Sequence, residues 1–400
     1  MITINGTEIT ELKYNGIEIE KALCNGVVVF EKTRENIIRM KTSADSINLR
    51  VTTKDGSPCE VWNGGKKIAE LQSDNKENIA VQNNAEEIII KGYDIQELDC
   101  DNNRLTTLNA SGCTSLQWLY CSYNQLTTLN ASGCTSLQWL YCSNNQLTTL
   151  NVSGLTSLEV LSCYYNQLTA LDVSGCTSLQ HLDCDNNRLT TLNASGCTRL
   201  QVLYCYNNQL TTLNVSSCTS LQRLECYNNQ LTAFDVSGCT RLQRLHCDRN
   251  QITSLNISGC TSLQHLYCYY NQLTTLNVSG LTSLEVLECY RNRLTTLNAS
   301  GCTSLKRLVC FNNQLTSLAV SDLTSLQWLD CSNNKLSAEV FKKLFEDLPE
   351  RKEKDGRVLL YKDGDSNYKD FPQPPELAAA FKAAKEKGWK FYKNNWSTEI

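Results

Sequence analysis

Apolar positions along residues 96–336 return with a period of 21. Within each period leucine and cysteine alternate with polar or aromatic residues, as in Leu116-Gln117-Trp118-Leu119-Tyr120-Cys121-Ser122-Tyr123-Asn124. Period-2 alternation of this kind predicts a short strand with one buried face, Leu119 and Cys121 pointing inward and Trp118, Tyr120 and Ser122 outward. An asparagine turns the chain after each strand, without a slip, from Asn103 and Asn124 to Asn313 and Asn334. A second apolar edge follows, Leu126-Thr127-Thr128-Leu129 in the same copy. A unit this short cannot bury its own apolar edge, so each coil uses its neighbours as the other half of the core. Twelve copies at about 4.8 Å per strand predict a rod or arc with a strand face about 55 Å long.

The unit has the form L-x-x-L-x-C-x-x-N-x-L followed by a second L-x-x-L, and it resembles the leucine-rich repeat, specifically the 21-residue bacterial class with a nested double leucine pattern. The resemblance implies a β-rich leucine-rich-repeat solenoid of about twelve coils with a parallel β ladder. It also implies that the side-chain amides of the asparagines bond to backbone groups of adjacent coils, satisfying turn N–H and C=O groups that would otherwise be buried unpaired.

The flanks have other patterns. Residues 1–32 carry Asn5-Gly6, Asn15-Gly16 and Asn25-Gly26 between β-rich runs, the signal of a small meander of hairpins. That rhythm resembles short amino-terminal modules of bacteriophage tail-associated structural proteins, which implies an attachment segment. Residues 33–95 alternate as several short strands, among them Ile47–Val51, Cys59–Trp62 and Glu87–Ile90, and predict a small β-sandwich that caps the first coil. It resembles the polycystic-kidney-disease-like sandwiches of bacterial surface proteins, without their W-G-D-G motif. Residues 337–400 predict an α/β cap: a helix from Ala338 to Leu348, a strand from Arg357 to Tyr361, a helix from Glu376 to Lys387 and a strand from Trp389 to Tyr392. The segments Leu348-Pro349-Glu350-Arg351 and Lys387-Gly388-Trp389 resemble the carboxy-terminal cap of the same bacterial repeats.

Composition changes this picture in two ways. Of 22 cysteines, twelve stand three residues before the asparagines, from Cys100 to Cys331, and eight more stand ten residues after them, where Leu155, Leu281 and Leu323 are the alternatives. A position that exchanges Cys for Leu is a buried hydrophobe, so reduced packing thiols are expected rather than disulfides or a zinc site. Net charge is −4, which disfavours nucleic acid as a partner. No apolar run approaches the roughly 18 residues of a spanning helix, and the amino terminus lacks the pattern of a conventional secretion signal.

Candidate chemistry lies where the repeats stop agreeing. Along the second half-unit the outward residues hardly change. On the cysteine strand they change at every step. Three before the cysteine stand Trp118, Trp139, His181, Arg223, Arg244, His265, Arg307 and Trp328, among others. One before it stand Tyr120, Tyr141, Asp183, Tyr204, Glu225, His246 and Tyr267, and one after it Tyr164, Tyr206, Tyr227 and Tyr269. With Tyr123 these make a face enriched in Tyr, Trp and Arg, the residues that dominate binding hot spots. Acids such as Glu97, Asp99, Asp185, Asp248, Glu288 and Asp330 outnumber the arginines on it. Such a face suits a folded protein surface or a glycan, and the alternative for its tyrosines is stacking that only shields the strands.

Enzymatic readings fare poorly. His181, Asp183 and Asp185 share a strand, and His246 and His265 lie near Glu225, arrangements compatible with a metal or with acid–base work. No phosphate loop, nucleophile elbow or H-E-x-x-H pattern accompanies them. The expectation is therefore a non-enzymatic recognition or adhesion protein, with no cofactor and no metal, binding a cell-surface protein or glycan. Residues 1–32 would place it on a virion or phage-like particle, in contact with tail or baseplate proteins. The alternatives are a bacterial surface or secreted adhesin and a cytoplasmic scaffold or inhibitor.

Overall fold

The computed structural model describes residues 35–82 and 86–400 in full, and of residues 1–34 only the backbone of six short strands. Those six pair as three antiparallel hairpins: Thr3–Ile4 with Thr7–Glu8, Lys13–Tyr14 with Ile17–Glu18, and Lys21–Cys24 with Val27–Glu31. The three Asn-Gly dipeptides expected to turn them, which carry the resemblance to tail-associated modules, lie outside the described residues. The chain divides into two compact units, Met1–Leu158 and Glu159–Ile400.

In the first unit, two sheets face each other. One carries the strands Glu35–Thr42, Cys59–Asn63, Lys66–Leu71 and Ile88–Tyr93, all antiparallel. The other pairs Ser46–Thr53 with Lys76–Ala80. Alternation drives this: Ile38, Met40, Ile47, Leu49, Val51, Val61, Ile88 and Ile90 are buried, while their sequence neighbours face out. Both sheets run on into the repeats. Ser46–Thr53 lies antiparallel to the first cysteine strand, Ile95–Asp99, and Glu35–Thr42 antiparallel to Leu105–Asn109. The first coil thus presents no open edge on either side. Parallel strands Trp118–Tyr120 and Trp139–Tyr141 follow in strict register.

The second unit is a parallel solenoid from Val160–Ser162 to Trp328–Asp330, each strand paired with the same three positions of the next. Inside, the leucines and ladder cysteines are buried. All 21 described cysteines are buried, and thiols such as Cys134 and Cys184 donate to carbonyls of the neighbouring coils, Ala110 and Tyr204, at 3.1 and 3.4 Å.

The ladder asparagine does what its regularity implies. Asn229 Nδ2 donates to the carbonyls of Cys205, Cys226 and Tyr227 at 3.0–3.3 Å, and its Oδ1 accepts the amide of Leu210 at 2.9 Å. On the other edge, Asn or Asp recurs for a local reason: each side-chain oxygen accepts the amide two residues on, as Asn214 does from Ser216 and Asp235 from Ser237.

The cap continues the array by other means. Strand Gly356–Tyr361 pairs parallel with Trp328–Asp330, and Trp389–Lys393 with Gly356–Tyr361. Asn367 takes over the ladder, donating to the carbonyls of Cys331 and Leu360 and accepting from Leu336. The sequence hides this asparagine because helix Ala338–Asp347 is inserted before it and breaks the period. Phe341, Phe345, Phe381 and Phe391 pack between that helix, helix Pro375–Glu386 and the last strand.

Candidate functional site

The variable residues of the cysteine strands lie side by side because the register never slips. In the first unit Trp118 stands against Trp139 and Tyr120 against Tyr141. Their ring centroids are 5.1 and 5.3 Å apart and the planes lie within 6° of parallel. Tyr123 is 55% exposed beside them. In the second unit the row after the cysteines stacks Tyr206 on Tyr227 at 4.4 Å and Tyr269 on Tyr290 on Phe311 at 4.5 Å each. Rings stacked at the coil spacing cover one another's faces and turn their edges outward.

Ion pairs and cation–π contacts lace the same surface. Arg223 holds Glu225 at 2.5 Å and lies 5.1 Å over Tyr204. Arg307 bonds Glu288 at 3.0 Å and lies 5.0 Å over Trp328. Arg244 stands in register between Arg223 and His265. His246 stacks on Tyr267 at 4.2 Å, and His181 meets Tyr204 edge-on. Burial pushes His246 down to about 4 and lowers His181 and His265 as well, so all three are neutral at pH 7. Burial, then the adjoining Asp185, pushes Asp183 up to about 8, and burial pushes Asp248 up to about 6.

Three expectations need correction. Ser122 is covered rather than exposed, as are Ser143 and Ser332 at the same position; a small side chain there sinks beneath larger neighbours. The outward acids Glu225 and Asp330 are likewise almost covered. Trp328 is taken by the cap, whose Trp396 lies 3.9 Å from it.

Two residues not singled out in the sequence belong to the face. Two positions after each ladder cysteine the backbone is left-handed, with φ of 50–60° from Asn102 to Asn333. Asparagine fills most of these sites, as that conformation favours. Tyr123, Tyr165, Arg249, Tyr270 and Arg291 occupy the rest. Tyr165 is 55% exposed, and Tyr270 is held between Arg249 and Arg291 at 5.0 and 4.7 Å. The signal was legible: these are the departures from asparagine at a fixed position.

The family described as Leucine Rich repeats (2 copies) matches seven overlapping stretches, from residues 114–157 to residues 240–283. No curated protein matches the chain in sequence. Among solved structures, a leucine-rich-repeat protein of Leptospira interrogans is 27% identical, with 73% of this chain and 82% of that one covered and a TM-score of 0.55. An internalin, InlF, of Listeria monocytogenes is 22% identical over 71% of this chain and 84% of that one, at 0.57. The functional domain of InlJ from Listeria monocytogenes, which includes a cysteine ladder, is 27% identical over 68% and 75%, at 0.47. The fold is thus a leucine-rich-repeat solenoid with a cysteine ladder, between an amino-terminal β domain and a carboxy-terminal helical cap.

Proposed function

We propose that this chain is a non-enzymatic recognition protein that binds a folded protein on a cell surface through the variable face of its cysteine strands. One observation carries the reading. Every coil needs the same left-handed turn, asparagine suits it best, and Tyr123, Tyr165 and Tyr270 stand there instead, with two of them half exposed. A bulky residue at positive φ costs on the order of 1 kcal/mol, which the fold has no reason to accept. Stacked rings with their edges outward favour a protein over a glycan, because sugars stack on ring faces. Trp118, Tyr120, Trp139 and Tyr141 form the candidate surface of the first unit. Tyr164, Tyr165, His181, Tyr204, Tyr206, Arg223, Tyr227, Arg244, His246, His265, Tyr267, Tyr269, Tyr270 and Arg307 form that of the second.

Changing Tyr120, Tyr141, Tyr204 and Tyr267 to Ser together tests this against simple strand shielding. Binding to intact bacterial and animal cells should be lost while circular dichroism is unchanged. Equal binding by the folded variant would refute the reading. The Asn-Gly rhythm of residues 1–32 adds a second part: attachment to a phage or phage-like tail, with the bacterial surface as the alternative location. Deleting residues 1–32 should then abolish incorporation into particles, and incorporation of the shortened chain would discard that part alone.

A further inference from the structure

The row that follows the ladder cysteines in the second unit runs Tyr164, Asp185, Tyr206, Tyr227, Asp248, Tyr269, Tyr290, Phe311. Where rings are consecutive their faces are covered, at 4.4–4.5 Å and within 9° of parallel. At Asp185 and Asp248 a ring is missing. The rings on either side are then two coils apart, about 9–10 Å. Subtracting ring thickness leaves about 6 Å, room for one planar group about 3.5 Å thick.

The polar atoms at these two interruptions are short of partners. Among the described residues seven buried side-chain N or O atoms lack a hydrogen bond, and the three that lie in the repeats are Asp183 Oδ1, His246 Nε2 and Asp248 Oδ1. Asp183 ends the strand His181–Asp183 two residues before Asp185, and His246 ends Arg244–His246 two before Asp248, so each interruption has its own orphans. Asp185 and Asp248 are both 2% exposed. Asp185 accepts from the side-chain amide of Asn186 through Oδ2, and each carboxyl adjoins the first ring of a stack, Tyr206 or Tyr269. Asp248 Oδ1 has no partner, and Arg249 approaches only the other oxygen, at 4.0 Å. The outward positions of the coils beside Asp183 and Asp185 hold Val160, Ser162, Tyr164, Val202, Tyr204 and Tyr206, none of them basic. Buried polar atoms are almost always paired, and buried carboxylates without counter-charge are costly.

Resting on the reading of this face as a protein-binding surface, we propose that the interruptions at Asp185 and Asp248 are sockets for arginine side chains of the partner. A guanidinium is planar, always cationic and donates within its plane. Its faces fit against Tyr164 and Tyr206, or Tyr227 and Tyr269, while its N–H edge meets Asp183 and Asp185, or Asp248. The chain already stacks arginine on tyrosine in this way, with Arg249 and Arg291 on Tyr270 and Arg223 on Tyr204. The sockets lie three coils apart, about 14 Å, which is the reach between residues i and i+4 of an extended segment.

The test titrates the full chain with a Gly/Ser peptide carrying arginines at i and i+4, beside the same peptide with citrulline. The arginine peptide should bind at least tenfold more tightly, and Asp185→Asn with Asp248→Asn should remove at least tenfold of that affinity. Equal affinity for the two peptides, no binding of either, or unchanged affinity in the folded double variant overturns the sockets. The peptide comparison needs only the unaltered protein, so a variant that misfolds does not shelter the proposal. Cell binding separates the two claims. If it is lost in the tyrosine variant but kept in Asp185→Asn/Asp248→Asn, the sockets fall alone; if both variants keep it, the reading beneath them falls too.

Discussion

At the scale of single residues, two side chains show how position sets cost. Asn229 makes three donated bonds and accepts one, all to backbone. Asn229→Ala strands those groups inside the array and should lower stability by about 2–4 kcal/mol, measured by urea denaturation; a loss below about 0.5 kcal/mol would contradict the ladder's structural role. Asp183 is the opposite case, a carboxyl that burial and Asp185 hold protonated up to about 8 against an ordinary 3.8. The native state therefore binds a proton that the unfolded chain releases, and this group's stabilisation is full below about pH 4 and declines as pH rises to about 8. It stands beside His181 and Asp185 on its own coil and Ser162 and Tyr204 on the adjoining ones, with Glu225 beyond. Asp183→Asn should match the parent near pH 4 and exceed it at pH 9 by about 1–2 kcal/mol after solvent screening. Parallel stability profiles for the two proteins would contradict the assignment.

At the scale of elements, the repeat and the elements that flank it were legible, and the bonding within the cap was not. Cys-for-Leu exchange at positions such as Leu155 announced buried thiols, and burial duly raises Cys134 to about 11 and Cys142 to about 12. Thiolate is the reactive form, so iodoacetamide at pH 8 should leave the described cysteines unmodified in the native protein and label all of them in urea. Labelling of several ladder cysteines without denaturant would contradict that packing. The helices and strands of the cap were readable from amphipathic spacing, yet Asn367 was not, since its bonding depends on a chain path that the helix Ala338–Asp347 reroutes. Ser122 was misjudged for a related reason: alternation says which way a side chain points, and only the neighbours decide whether it is covered. Removing residues 338–400 uncovers the edge of strand Trp328–Asp330, and the truncated protein should aggregate under conditions where the full chain is monodisperse by light scattering.

At the scale of the whole molecule, a constant frame carries a variable surface. Leucines, ladder asparagines and Asx turns repeat because each coil solves the same burial problem, and those solutions leave the outward strand positions and the left-handed turn free to differ. The face itself was legible in the sequence as enrichment of Tyr, Trp and Arg. Its internal order was not, because ring stacking, the Arg249–Tyr270–Arg291 sandwich and the orphaned atoms at Asp183, His246 and Asp248 arise only when coils are laid side by side. The central claim is that tyrosine replaces asparagine at the turn for binding and against stability. The most direct measurement is therefore Tyr165→Asn with Tyr270→Asn, read for melting temperature and for cell binding together. The account expects stability unchanged or raised by roughly 1 kcal/mol per site, with binding reduced at least tenfold. A variant that is less stable yet binds as before would contradict it.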